Sequence, residues 1–114
     1  MTIISKENMK SANTGKKVAN QFIIDCINSE TGEIETTAFQ SYESTIAIID
    51  WLNNIVYIGN DYDYSNTTGK YRNQFFSNYG VLALSTLKDL NKALKCGTFM
   101  SNAGNLYSIK KINM

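Results

Sequence analysis

The chain has 114 residues, 43 % of them apolar and 18 % charged, and a formal net charge of +1. That is one domain's worth of sequence with enough apolar content for a packed core, which excludes general disorder and a second independent core. There is no histidine, no run of eighteen apolar residues and no apolar N-terminal leader, so the reading is a soluble cytoplasmic protein without the commonest general base or metal ligand.

Residues 1–16 are polar and show no period. Ser5 could cap a short helix over Lys6 to Ser11, ended by Asn13-Thr14-Gly15, and the stretch reads as a mobile or loosely docked arm ahead of a single domain at 17–114. Val18 to Ile27 alternates as a strand, with Val18, Phe22, Ile24 and Cys26 on one face. Asn28 to Gly32 is a turn, and the threonine-rich Glu33 to Phe39 returns as the second arm of a hairpin. Thr45 to Ile49 is β-branched and apolar on both faces, as a central strand covered by helix would be. Leu52-Asn53-Asn54 turns it into Ile55 to Ile58, ended by Gly59.

Two helices follow. Ser65 or Thr67 caps the first, which carries an aromatic stripe of Tyr71, Phe75 and Tyr79 beside Phe76 and ends near Gly80. Ser85 caps the second, with Leu84, Leu87, Leu90 and Leu94 on its apolar face and Gly97 closing it. Phe99-Met100 and Leu106 to Ile112 read as a last hairpin or a single edge strand. The predicted fold is α+β: a mostly antiparallel sheet of four to six strands with two helices packed on one face. Its core should bury Phe22, Ile24, Ile46, Ile48, Val56, Ile58, Phe75, Leu87, Leu90 and Leu94.

Two distant cysteines, Cys26 and Cys96, without histidine do not make a zinc site and read as reduced thiols. Asp61, Asp63 and Ser65 occupy the first, third and fifth places of a calcium loop, but Asn66 stands at the required glycine and Arg72 at the bidentate glutamate. No metal and no cofactor is therefore expected, and the acidic turn reads as a helix start favoured by the dipole.

Charge divides along the chain. Residues 1–65 hold four lysines and nine acids, a net of −5, and residues 66–114 hold seven basic residues and one acid, a net of +6. Glu30, Glu33, Glu35 and Glu43, with Asp61 and Asp63, supply an acidic surface, and within it Glu30, Glu33 and Glu35 and the aromatic-acidic turn Tyr62, Asp63 and Tyr64 are the candidate contacts for a basic partner surface. Lys88, Lys92 and Lys95 share a helix face at spacings of four and three, and with Lys70, Arg72, Lys110 and Lys111 they are the candidates for nucleic-acid phosphates.

The segments Ser41-Tyr42-Glu43-Ser44-Thr45-Ile46-Ala47, Val56-Tyr57 and Asp63-Tyr64-Ser65-Asn66-Thr67-Thr68-Gly69-Lys70-Tyr71 resemble a family of uncharacterised small proteins from phages and plasmids of low-GC Gram-positive bacteria. Tyr62 stands where that pattern often has tryptophan, and Tyr71 where it has histidine. The resemblance covers about residues 41–76 and brings no function with it. It implies a mobile-element accessory protein in a bacterial host cell.

Small size, the missing catalytic residues and that resemblance point to a non-catalytic interaction protein that binds and inhibits a host defence complex, protein or ribonucleoprotein, in the manner of an anti-CRISPR protein. The alternative is a nucleic-acid-binding accessory or regulatory protein using the basic helix. An enzyme built on Asp61, Asp63 and the tyrosines is a third reading, and a structural or self-associating module is what remains.

Overall fold

The computed structural model describes residues 2–114, and among them seven strands form one sheet in the order β1-β2-β3-β4-β5-β7-β6. The strands are β1 (Thr2–Lys10), β2 (Lys17–Asn28), β3 (Ile34–Ser41), β4 (Ser44–Asp50), β5 (Ile55–Ile58), β6 (Thr98–Met100) and β7 (Leu106–Lys111). Two helices, α1 (Asn66–Asn78) and α2 (Leu87–Cys96), are joined through a single 3-10 turn at Leu82–Leu84. Every neighbouring pair is antiparallel except β5 and β7, which run parallel because both helices and β6 intervene between them. The fold is α+β, and no helix among the described residues is long and apolar enough to cross a membrane.

The strand count exceeds the expected four to six, and the reason lies at the N-terminus. The stretch expected to be a loose arm with a short helix is the nine-residue strand β1, paired along its length with β2. It hides from a periodicity reading because Met9 is its one fully buried side chain, and an edge strand of polar residues carries no alternation. At the other end Phe99 and Leu106 do form a hairpin, with β7 inside the sheet and β6 at its edge.

β4 lies at the middle of the sheet, as its apolar run predicts. One face of the sheet packs under the helices and holds the core. Phe39, Ala47, Ile49, Val56, Ile58 and Ile109 project there, and Phe75, Phe76, Leu84 and Leu90 cover them. Phe75 stacks on Phe39 with ring centroids 5.7 Å apart. The register places Phe22, Ile24 and Ile48 on the opposite face, and these three are half-exposed. Alternation puts Phe22 and Ile24 on one face of β2, but it cannot say which of two apolar faces the helices cover, and the expected core wrongly joins these three to Val56 and Ile58. Leu87 and Leu94 are likewise half-buried, and Leu94 packs at the margin of the core.

Helix ends follow side-chain chemistry. Ser65 caps α1, its Oγ accepting from the Thr68 amide at 3.1 Å. The cap of α2 is Thr86 and not Ser85: the Asp89 amide donates to Thr86 Oγ1, while the Ser85 hydroxyl donates back to the Leu82 carbonyl of the 3-10 turn. Gly97 closes α2 at φ 81°, a left-handed position where glycine carries no Cβ penalty.

Candidate functional site

At the sheet end where β3 turns into β4 and β5 runs into α1, three segments enclose a cleft of about 780 Å³. Its floor is Ser41, Ile46 and Thr68, all buried, and its rim is Tyr42, Glu43, Asp61, Tyr64 and Thr67, all exposed. Tyr64 is 75 % and Tyr42 51 % exposed, which is unusual for large aromatic rings with no burial to gain.

Each wall is fixed from within. The Ser41 and Thr68 hydroxyls lie 3.0 Å apart in the interior and tie β3 to the first turn of α1. The Ser44 hydroxyl donates to Asp61 Oδ2 at 2.8 Å and ties β4 to the loop after β5. Gln21, directly across from Ser41 on β2, is 1 % exposed, and neither end of its amide has a hydrogen-bond partner among the described residues.

The Tyr42 wall is strained. Tyr42 adopts φ 55°, a left-handed conformation that costs an L residue about 1–2 kcal/mol. Its amide donates to the carbonyl of Asn20 at 2.6 Å, and Asn20 itself sits at φ 63°. The Gln40 side chain donates to the Tyr42 carbonyl. Neighbouring strands thus hold an aromatic residue in a conformation it does not favour, with its ring at the rim. Strain of this kind concentrates where function needs a fixed geometry.

The aromatic-acidic turn divides its labour. Tyr62 is half-buried, and its hydroxyl donates to Asn91 Oδ1 on α2 at 2.8 Å, so this ring pins the loop to the helix. Asp63 faces the Arg72 guanidinium at 3.9 Å. Arg72 is 2 % exposed, so it belongs to the interior and not to a basic surface. Burial pushes its pKa down, and Asp63 opposes that shift. Tyr64 alone of the three turns its ring to the cleft. Asp61 and Asp63, the calcium-loop candidates, are drawn to different partners, and among the described residues no three acids or cysteines converge as a metal site.

The remaining sequence candidates lie elsewhere. Glu30 and Glu33 are exposed in the β2–β3 turn and Glu35 is half-buried at the start of β3, the opposite end of that eight-residue strand from the cleft, about 25 Å away. Lys88, Lys92 and Lys95 are all exposed on α2. Sequence reasoning named Glu43 and Asp61 among the acids of a partner-facing surface, but missed Tyr42 as a rim residue and Ser44 as the partner of Asp61. Nothing in the composition of a two-residue turn signals that it will stand beside a loop seventeen residues later.

What the cleft offers is two exposed aromatic rings, the carboxylates of Glu43 and Asp61, a floor of hydroxyls, and no lysine or arginine in its lining. Such a lining fits a cationic group: carboxylates supply charge and tyrosine faces supply cation–π attraction.

A family model described as a family of unknown function, DUF8033, matches residues 4–92. The match runs from β1 into α2 and includes every residue lining the cleft. No curated protein and no solved structure matches the chain.

Proposed function

The chain belongs to that family of unknown function, and we propose that it acts by binding without turnover, receiving a lysine or arginine side chain of a partner macromolecule in the cleft between Tyr42 and Tyr64. The observation that supports this is the concave site itself, with two large rings held exposed beside Glu43 and Asp61 and no basic residue to satisfy them. Without histidine, the Ser44 hydroxyl has an aspartate for its partner and, among the described residues, no third group to complete a nucleophile's relay. In its specific form, the proposal is an inhibitor of a host defence complex, anti-CRISPR-like, in a bacterial cytoplasm. Such a complex carries nucleic acid in a channel lined with lysine and arginine, and complementary charge speeds docking there. Glu30, Glu33 and Glu35 supply a second acidic site at the far end of the sheet for a partner long enough to reach both.

The alternative, phosphate binding by Lys88, Lys92 and Lys95, keeps its support in three exposed cations on one helix face. Salt weakens both modes, so charge reversal must separate them. Affinity capture from a bacterial lysate, with and without nuclease, supplies the partner. Replacing Glu43 and Asp61 by lysine should abolish capture, and replacing the three helix lysines by glutamate should leave it intact. The reverse pattern, with both variants folded, would transfer the function to the helix.

A further inference from the structure

The face of the sheet turned away from the helices is uncovered by any described element. Its middle is uncharged and mostly apolar: Phe22 and Ile24 on β2, Ala38 on β3 between Thr36 and Gln40, Ile48 on β4, and Ile55 and Tyr57 on β5, all half-exposed. Lys6 on β1 and Lys110 on β7 flank it, their ammonium groups 4.4 Å and 5.3 Å from the ring centres of Phe22 and Tyr57. Asp50 at one end is already spent on the amides of Leu52 and Asn53. An apolar middle with a charged margin is the anatomy of a protein interface.

We propose that this face is the interface of a homodimer, two sheets packed face to face about a two-fold axis that runs along β4 past Ile48. The strand order supplies the reason for a second copy. β4 is the central strand of the seven, so such an axis lays β4 on its own counterpart and β3 on the partner's β5. On this face β3 carries Thr36, Ala38 and Gln40, β5 carries Ile55 and Tyr57, and the axis sets Phe22 and Ile24 of β2 over Ser108 and the aliphatic stem of Lys110 on the partner's β7. Thr36 and Ala38 leave room for Ile55 and Tyr57, as two sheets interdigitating about 10 Å apart need. Seven strands about 4.8 Å apart and on average about 20 Å long present a whole face of roughly 600 Å² per copy, or about 1,200 Å² in the pair. That reaches the lower bound of stable interfaces, about 1,200 Å² in total. The cleft, at one end of the sheet, stays open in this arrangement.

Sedimentation of the full chain tests the proposal. The mass should rise with concentration from 12.8 kDa to twice that value, and Ile48→Asp should remain at the monomer mass with an unchanged far-ultraviolet spectrum. A second readout needs no variant. Cys26 lies on this face and Cys96 is exposed on α2, so thiol labelling of Cys26 should slow as the dimer forms while Cys96 reacts at a constant rate. A chain that stays monomeric into the high micromolar range overturns the proposal. So does a dimer that survives Ile48→Asp, or one in which Cys26 labelling is independent of concentration.

Discussion

The buried guanidinium of Arg72 donates through Nη1 to the backbone carbonyl of Tyr62 at 2.6 Å, and through Nη2 to Asn73 Oδ1 at 2.9 Å. A single charged side chain on α1 thereby holds the loop that carries Asp61, Asp63 and Tyr64. Asp63 stands 3.9 Å away and half-exposed, so the positive charge is offset at the edge of the interior and not in it.

Replacing Arg72 with leucine should therefore cost about 2–4 kcal/mol, because the Tyr62 carbonyl loses its donor and the loop its anchor. Arg72→Lys should recover little of this, since an ammonium cannot span both acceptors in the plane of the guanidinium fork. Urea unfolding midpoints of the two variants check the expectation, and a lysine variant as stable as the parent would show that charge alone is sufficient.

Gly59 is a second constraint on the same loop. A Cβ built there would lie 2.2 Å from the Thr45 carbonyl oxygen, a backbone atom in the central strand. The Gly59 amide also donates to the Ile46 carbonyl at 2.9 Å, so the two chains cannot separate without losing that bond. Gly59→Ala should destabilise by about 2–3 kcal/mol through forced backbone displacement. A thermal melt within a degree or two of the parent would contradict this.

Gln21 predicts the opposite sign. Its amide is buried beside Ser41 without a partner among the described residues, and an unsatisfied buried group costs about 1–3 kcal/mol. Gln21→Met has nearly the same volume and no polar atom to strand, so it should be neutral or stabilising by about 1 kcal/mol. A clear loss of stability in chemical unfolding would show that the amide does serve the fold.

Alkaline pH gives a further check. Burial raises the Tyr79 pKa above its ordinary 10.0, with Asp25 and Glu7 adding to the shift, and burial alone raises that of Tyr107. A phenol with a raised pKa in the folded state favours folding while it is protonated. That stability is complete below pH 10.0 and is lost as pH rises through the folded-state values. Unfolding free energy should hold level up to about pH 9 and fall beyond 10, and Tyr79→Phe with Tyr107→Phe should flatten the fall. An equal decline in the double variant would assign it to other groups.

Much of the architecture is legible in the residues and much of the site is not. β4 and β5 announce themselves by β-branched runs, and α1 and α2 by spacing and caps, because their burial is decided within a few residues. β1 is silent because it lends almost nothing to the core. The open face misleads because Phe22, Ile24 and Ile48 carry the same apolar period that a buried face would. Arg72 reads as a surface cation until its acceptors are seen, two of its nitrogens meeting groups that the helix and the loop bring together only after folding. The cleft joins residues from 20 to 68, and no local pattern encodes that assembly.

Tyr42 supplies the last prediction, because there stability and binding should part. At φ 55° its backbone is held where glycine sits without strain, and its ring gains little burial in return. Relief of about 1–2 kcal/mol of conformational strain is set against about 0.5–1 kcal/mol of chain entropy lost by a new glycine. Tyr42→Gly should therefore be as stable as the parent or more so by up to about 1.5 kcal/mol. Tyr42→Val, β-branched and unable to relax there, should be less stable than either. Both variants lack the ring that forms one wall of the cleft, and both should lose capture of the partner. A folded and stabilised Tyr42→Gly chain that still captures its partner would show that the strained turn serves the fold and not the cleft.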